Sequence, residues 1–407
     1  MSQWLEVKLG DYVNLLTGFP FKSKNYSDFE EDIKLLRGDN IAQGYLRWEN
    51  VKRWKLTDDP RESNYFLKTN DVILAMDRPW IEAGLKYSII SNKDLPCLLV
   101  QRVACLRAKE ILNQQFLRYV IGSKSFTEYV CSIETGTAVP HISGQQIKDY
   151  EFLLPPLPEQ KAIASVLSSL DDKIDLLHRQ NKTLEAMAET LFRQWFIEEA
   201  KEDWGEADLM QLIELQSGYA FKSKDFKESG SFGVIKIKNI SGNIIDIGQT
   251  DFVADEVGLA TAQRFHVKSG QVLVAMTGAE IGKLGLVPKT TKQLLLNQRV
   301  GLLVPRFKGA EYLAYLHLKS EFGQDYIENS ATGSAQPNIS GSLIEACPFP
   351  KLDNEFLRQC GMQVQIYYEK VKENLGQIQT LENLRDTLLP KLMNGEVRVQ
   401  YQTQDVA

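Results

Sequence analysis

The chain repeats itself once. LLTGFPFKSK at 15–24 returns as LQSGYAFKSK at 215–224, and VILAM at 72–76 returns as VLVAM at 272–276, both 200 residues on. QRV at 101–103 returns at 298–300, and GTAVPHISG at 136–144 as GSAQPNISG at 333–341. LEAMAETL at 184–191 returns as LENLRDTL at 381–388, an offset of 197 like the preceding two. Order is kept and the offset barely drifts, so the 407 residues are one unit duplicated. A period this long excludes a solenoid; each half is itself the size of a domain.

Texture changes once within each half. The first part alternates short apolar runs with Gly, Asn, Asp and Ser; VILAM, LLVQRVACLR, GVIKIKNI and LNQRVGLLVP read as strands bounded by turns. Proline punctuation follows, LLPPLPEQ at 153–160 and CPFPKLDNE at 347–355. Beyond each lies a long segment almost without glycine. Ile163, Leu167, Leu170, Ile174, Leu177, Asn181, Leu184, Ala188, Leu191 and Trp195 recur at alternating spacings of four and three. That is the apolar seam of a coiled coil. Cys360, Val364, Tyr367, Val371, Asn374, Ile378, Leu381, Arg385, Leu388 and Leu392 keep the same register more weakly. A helix over 159–199 is roughly 60 Å long.

The expected fold is therefore α+β: two tandem mixed α/β domains, each followed by a long helix. Two seams of this length favour packing on each other over packing on their own domains. The duplication makes that pairing antiparallel, about a pseudo-twofold axis. The expected segments are domain one at 1–155, first helix at 156–201, domain two at 202–350, and second helix with a tail at 351–407. Leu167, Leu170, Ile174, Leu177, Asn181, Leu184 and Leu191 should meet Val364, Val371, Asn374, Ile378, Leu381 and Leu388. If the axis passes near residue 179, Asn181 faces Asn374 in the seam.

Composition narrows the function classes. No run of 18 apolar residues suggests a membrane span, and the start MSQWLEVKLGDY does not resemble a signal peptide. Five scattered cysteines without C-x-x-C spacing fit reduced thiols and a cytoplasmic protein. The net charge of −6 argues weakly against nucleic acid, but the local field decides binding.

At LPPLPEQKAIASVLSSLDDKIDLLHRQNKTLEAMAETLFRQWF the chain closely resembles the specificity subunits of type I restriction–modification enzymes. The likeness spans the whole chain. It is most specific in the P-x-x-EQ-x-x-I entry to the first helix and the L-x-x-x-x-x-x-L-F exit from it. The second helix departs, with LDNEF for LPEQ, although its LLPKLMNGE ending is typical of the family. The resemblance implies two target-recognition domains that read a bipartite, asymmetric duplex DNA target. It implies partners, too: two adenine methyltransferase subunits and two endonuclease/translocase subunits. S-adenosylmethionine and ATP would then be carried by those partners, and this chain would be neither an enzyme nor a cofactor or metal protein.

The residues agree with a non-catalytic reading. The one Pro-Pro pair, Pro155-Pro156, lacks the polar residue that an adenine methyltransferase motif places before it. No G-x-G-x-x-G follows a strand. TGAEIGKLG at 277–285 approaches a phosphate loop, but Gly278 is one residue too close to Gly282-Lys283, and Leu284 replaces the hydroxyl. The four histidines are dispersed. A competing class is a coiled-coil adaptor whose two globular heads bind protein or glycan.

Phosphate contacts position a protein on DNA and base-edge contacts specify sequence. In a duplicated reader, shared residues should position and differing ones should read. The shared candidates are Lys22, Ser23, Lys24 with Lys222, Ser223, Lys224, and Arg102 with Arg299. The differing candidates fall at three matched places. Arg78 and Trp80 stand against Thr277, Glu280 and Lys283. Arg37, Asp39 and Asn40 stand against Lys236, Lys238 and Asn239. Thr137 and His141 stand against Ser334, Gln336 and Asn338, with Val139 opposite Gln336. Half-sites read from one face of a duplex should lie about 10 bp apart.

Overall fold

The computed structural model describes residues 4–133, 140–333 and 337–400. The chain forms two compact units, Met1–Asp172 with Asn383–Ala407, and Lys173–Glu382. Each holds one globular domain together with part of both long helices, a division that cuts across the expected segments ending at 155, 201 and 350.

In the first unit a four-stranded antiparallel sheet runs in the order Val13–Thr17, Val103–Ala108, Val72–Ala75, Tyr87–Ile89. Every residue of Val72–Ala75 is buried, which explains why its sequence shows no alternation. Side chains two apart share a face: Val72 and Leu74 enter one apolar core with Ala104 and Leu106, while Ile73 and Ala75 enter another with Val103 and Cys105. A second sheet orders Arg53–Trp54, Ile33–Leu36 and Cys97–Leu99, the last two parallel. Leu5–Lys8 pairs with Glu151–Leu154 just before the first long helix.

The second unit repeats this plan. Ile213–Ser217, Val300–Pro305, Val272–Ala275 and Leu284–Leu286 take the same order, extended by Asn243–Ile245 and Ile240–Ser241. Val272 and Val274 again face one core, Leu273 and Ala275 another. Phe232–Ile235 and Gln293–Leu296 form the matching parallel pair, and Gly205–Asp208 pairs with Pro348–Lys351. The expected single strands need correction. LLVQRVACLR and LNQRVGLLVP are each two strands belonging to different sheets, with Gln-Arg in the turn between. GVIKIKNI is a strand to Ile235, then a single 3-10 turn, Ile237–Asn239.

The first long helix spans Leu157–Arg193 and continues as one π turn, Gln194–Glu198. The second spans Asn354–Met393. The Glu-Gln of the entry motif is structural. Glu159 is buried and accepts from the Trp4 indole (3.0 Å) and the Arg398 guanidinium (2.8 and 3.0 Å). Gln160, fully buried, donates to the carbonyls of Pro155 and Ile111 and accepts from the amide of Asn113. Together they fasten the helix start to the domain it leaves.

The helices run antiparallel within each unit. In the second, Asn374 Nδ2 donates to Asn181 Oδ1 at 2.8 Å, and Phe196 lies beside Phe356. In the first, Arg385 holds Asp171 at 3.1 Å. The seams pack on each other as expected, and on their domains as well. Ile163 and Leu167 join the core of the first domain, together with Leu392. Ile174, Leu177, Val364, Val371 and Ile378 join that of the second, with Leu184 and Leu381 packed against it. Leu170, Leu191 and Leu388 are only half buried. A helix of this length presents more than one apolar stripe, and the globular domains take a share of each.

Candidate nucleic-acid interface

The shared motifs converge in each unit through backbone hydrogen bonds, and the two sets of bonds match. Gly18 donates to the carbonyl of Val103 at 3.0 Å and Gly218 to that of Val300 at 3.2 Å. A side chain on either glycine would collide with neighbouring backbone, at Val100 and at Asn297 respectively; close approach therefore demands glycine. The following aromatics stack edge-on, Phe19 on Phe21 and Tyr219 on Phe221, each pair at 4.9 Å. The amides of Gln101 and Gln298 then bond back to Phe19 and Tyr219. Met76 takes the amide of Ile142 and gives its own to Arg102; Met276 does the same with Ile339 and Arg299. Asp77 bridges His141, and Thr277 bridges Asn338. Motifs far apart in sequence thus form one face in each unit.

On this scaffold the two turns Lys22–Lys24 and Lys222–Lys224 are exposed, each running into a single 3-10 turn, Ser23–Asn25 and Ser223–Asp225. Among the described residues none of their four ammonium groups has a carboxylate partner. Arg102 and Arg299 are exposed in their turns; Arg102 holds Asp77 at 3.1 Å. Arg37 binds Asp39 at 2.6 Å. Arg37, Asp39, Asp77, Arg78, Lys86 and Arg102 line one cleft with Tyr26 and Gln101. Four cations there face two carboxylates, and partial burial pulls the Lys86 ammonium below its usual range. A cleft of that balance favours an anion.

In the second unit Lys236 and Lys238 both hold Asp251 at 2.8 Å, and their hydrogen bonds keep its carboxyl below the usual range. Lys236 also lies 3.7 Å over the Phe226 ring, while Lys283 is paired with Glu280. Thr277 Oγ1 is buried without a partner among the described residues. His141, Asn338 and Trp80 are exposed.

Two expected readers are corrected. Asn40 and Asn239 are buried, 7% and 1% exposed. Asn40 accepts from the amide of Arg37 and donates to Arg47; Asn239 accepts from Lys236 and donates to Asp246 and Gln249. Their amides close a loop on its own backbone and are buried away from solvent. The matching Asn three residues after a basic residue was the available signal, since a shared residue in a loop of otherwise different sequence suggests a backbone role. Thr137, Val139, Ser334 and Gln336 lie outside the described residues. Sequence reasoning missed Lys86, whose carbonyl bonds Ala75 as that of Lys283 bonds Ala275; that equivalence was hidden by the unequal loops before each. Among the described residues there is no cluster of metal-ligating side chains and no helix long and apolar enough to cross a membrane.

The family model for the type I restriction modification DNA specificity domain matches residues 1–186 and again 201–367. The chain belongs to that family. The two matches fall on the two halves of the duplication. Among curated relatives, the specificity subunit of the EcoAI type I restriction enzyme of Escherichia coli is 38% identical over 170 residues, covering 41% of this chain and 28% of that protein. The MjaVIII specificity subunit of Methanocaldococcus jannaschii is 23% identical over 98% of this chain and 94% of its own length. The crystal structure of the S subunit of a type I restriction-modification system from M. genitalium superposes with a TM-score of 0.62 at 18% identity, covering 96% of each chain. It shares the fold with this family member.

Proposed function

We propose that this chain is the sequence-reading subunit of a type I restriction–modification complex. Each globular domain reads one part of an asymmetric bipartite duplex target, and the paired helices set the spacing and dock two methyltransferase subunits. Two endonuclease/translocase subunits join through that complex. The chain itself is non-catalytic; S-adenosylmethionine and ATP bind the partner subunits, and the assembly works in the cytoplasm. Modification requires an adenine turned out of the stack, which falls to the methyltransferase.

One observation carries this reading. The two faces share their backbone hydrogen bonds but differ in side chains at Asp77/Thr277, Arg78/Gly278 and His141/Asn338. A constant scaffold with exchanged side chains suits two related readers of unlike half-sites. The coiled-coil adaptor is not favoured, because it gives no reason for unpaired lysines at the same turn of both halves. Mobility shift on duplex DNA, with and without the co-expressed methyltransferase subunit, tests the proposal, and mapping methylated adenines supplies the target. Absence of duplex binding in both states would refute it.

A further inference from the structure

Arg78 stands where the second half uses glycine. The amide of Arg78 bonds the carbonyl of Pro140 at 2.6 Å, and that of Gly278 bonds Pro337 at 2.8 Å. Both residues have left-handed backbone, φ +45° for Arg78 and +82° for Gly278. Glycine adopts that conformation freely, whereas a long side chain there is strained. Pro79 follows Arg78 and narrows its choices further. The first half therefore keeps an arginine at a position whose backbone prefers glycine.

The arginine has no structural use that would explain this. Its side chain is exposed and makes no ion pair or hydrogen bond among the described residues. Its neighbour Asp77 is already engaged by Arg102. Arg78 lines the cationic cleft with Arg37, Lys86 and Arg102. Arg78 also stands at the foot of a hairpin, Trp80–Ile81 against Gly84–Leu85, that the second half lacks: nine residues separate Met76 from Lys86, but six separate Met276 from Lys283. The hairpin displays Trp80 and Ile81 at 40% and 38% exposure. The three extra residues and the strained arginine occur together, on the face argued above to meet DNA.

We infer that Arg78 is a specificity-determining residue of the first half-site, its planar fork taking O6 and N7 of a guanine in the major groove. Arginine is suited to that bidentate contact, and a residue held against backbone preference is a sign of function. The second half, with Gly278 at the same place, makes no such contact there. This inference rests on the DNA-reading role proposed above.

The test uses the full chain co-expressed with its methyltransferase subunit. Arg78→Gly should leave the melting temperature unchanged or raised, because glycine suits φ +45°. It should relax the methylated consensus at one G·C pair of one half-site only, losing on the order of 10- to 100-fold in discrimination. Arg78→Lys should keep most general affinity but lose most of that discrimination, having charge without the fork. 7-Deazaguanine at that pair should weaken the native complex and leave the Arg78→Gly complex unaffected. An unchanged consensus with uniformly weaker binding would make Arg78 a phosphate contact and overturn the inference. A lowered melting temperature would make it structural, and a first half-site without a G·C pair would also overturn it. Failure of the native complex to bind any duplex would instead refute the DNA-reading role itself.

Discussion

The buried asparagine pair predicts a sign reversal between single and double substitution. Asn181 is 6% and Asn374 0% exposed. One hydrogen bond of 2.8 Å joins them, while Asn181 Nδ2 and Asn374 Oδ1 have no partner among the described residues. Leu177, Val371, Leu375 and Ile378 belong to the surrounding core. Asn374→Leu strands the Asn181 carbonyl in an apolar setting, which costs about 1–3 kcal/mol. For a unit of this size each kcal/mol is worth roughly 2–4 °C, so the transition of the second unit should fall by about 6 °C at the centre of that range. Changing both residues to leucine removes the bonded pair and the two unpartnered polar atoms together, leaving only the exposed Gln180, which Asn374 also meets at 3.4 Å, to turn to water, and stability should recover to or above that of the native chain. Calorimetry of the native, two single and double variants gives the coupling directly. Double loss equal to the sum of the single losses would show that the residues do not act as a pair. A buried polar pair also fixes register in a seam, so the double variant should be the one that methylates targets of more than one gap length.

Three other outcomes are expected. Lys22, Lys24, Lys222 and Lys224 changed together to alanine should weaken binding to every sequence alike and reduce the slope of log K against log salt by up to about 3.6, at about 0.9 per phosphate contact; an altered consensus with unchanged slope would make them base readers. Gly18→Ala should destabilise the first unit by roughly 1–3 kcal/mol or more, since the added carbon meets the backbone at Val100 and not a movable side chain; an unchanged transition on chemical denaturation would refute the close packing. His317, buried with Nε2 2.9 Å from the carbonyl of Pro348, has its pKa lowered by burial from 6.5 to about 4. Between those values the unfolded chain binds the extra proton, so stability of the second unit is intact above pH 6.5 and is lost toward pH 4, by at most about 1.4 kcal/mol per pH unit. His317→Asn should flatten that slope in denaturation curves measured from pH 4 to 7.

The duplication and both long helices were legible because they are written in periodicity, which survives sequence drift. The meeting of Asn181 with Asn374 was legible only in part: the heptad register put both asparagines in the seam, but their pairing also required the axis to pass near residue 179. The strand boundaries inside LLVQRVACLR were not, because a fully buried strand carries no alternation and the turn is made of two polar residues without glycine or proline. The division of the seam between two domain cores was hidden too, since an apolar position does not say which of two apolar neighbours it meets. Among site residues, the lysine turns could be found from identity alone. Lys86 could not, because its equivalence to Lys283 depends on strand register past loops of unequal length. Asn40 and Asn239 were misread because a polar loop residue looks the same whether its amide faces solvent or its own backbone.

That misreading separates the two roles of the shared residues. Gly18/Gly218, Asn40/Asn239 and the Met76/Met276 carbonyls all spend their shared chemistry on backbone, so identity between the halves marks the scaffold at least as often as it marks DNA. Lys22–Lys24 and Lys222–Lys224 are the exception, identical and exposed. Difference between the halves is the better sign of reading, but only where the backbone bonds around it are conserved. Asp77/Thr277, Arg78/Gly278 and His141/Asn338 meet that condition, each flanked by the same Met, Pro and Ile contacts. Exchanging side chains there leaves the supporting hydrogen bonds in place, because those bonds come from main-chain atoms. A fold built this way can exchange side chains on that face without relearning how to fold, and Arg78, held at φ +45°, shows that the exchange extends to a position where the backbone prefers glycine.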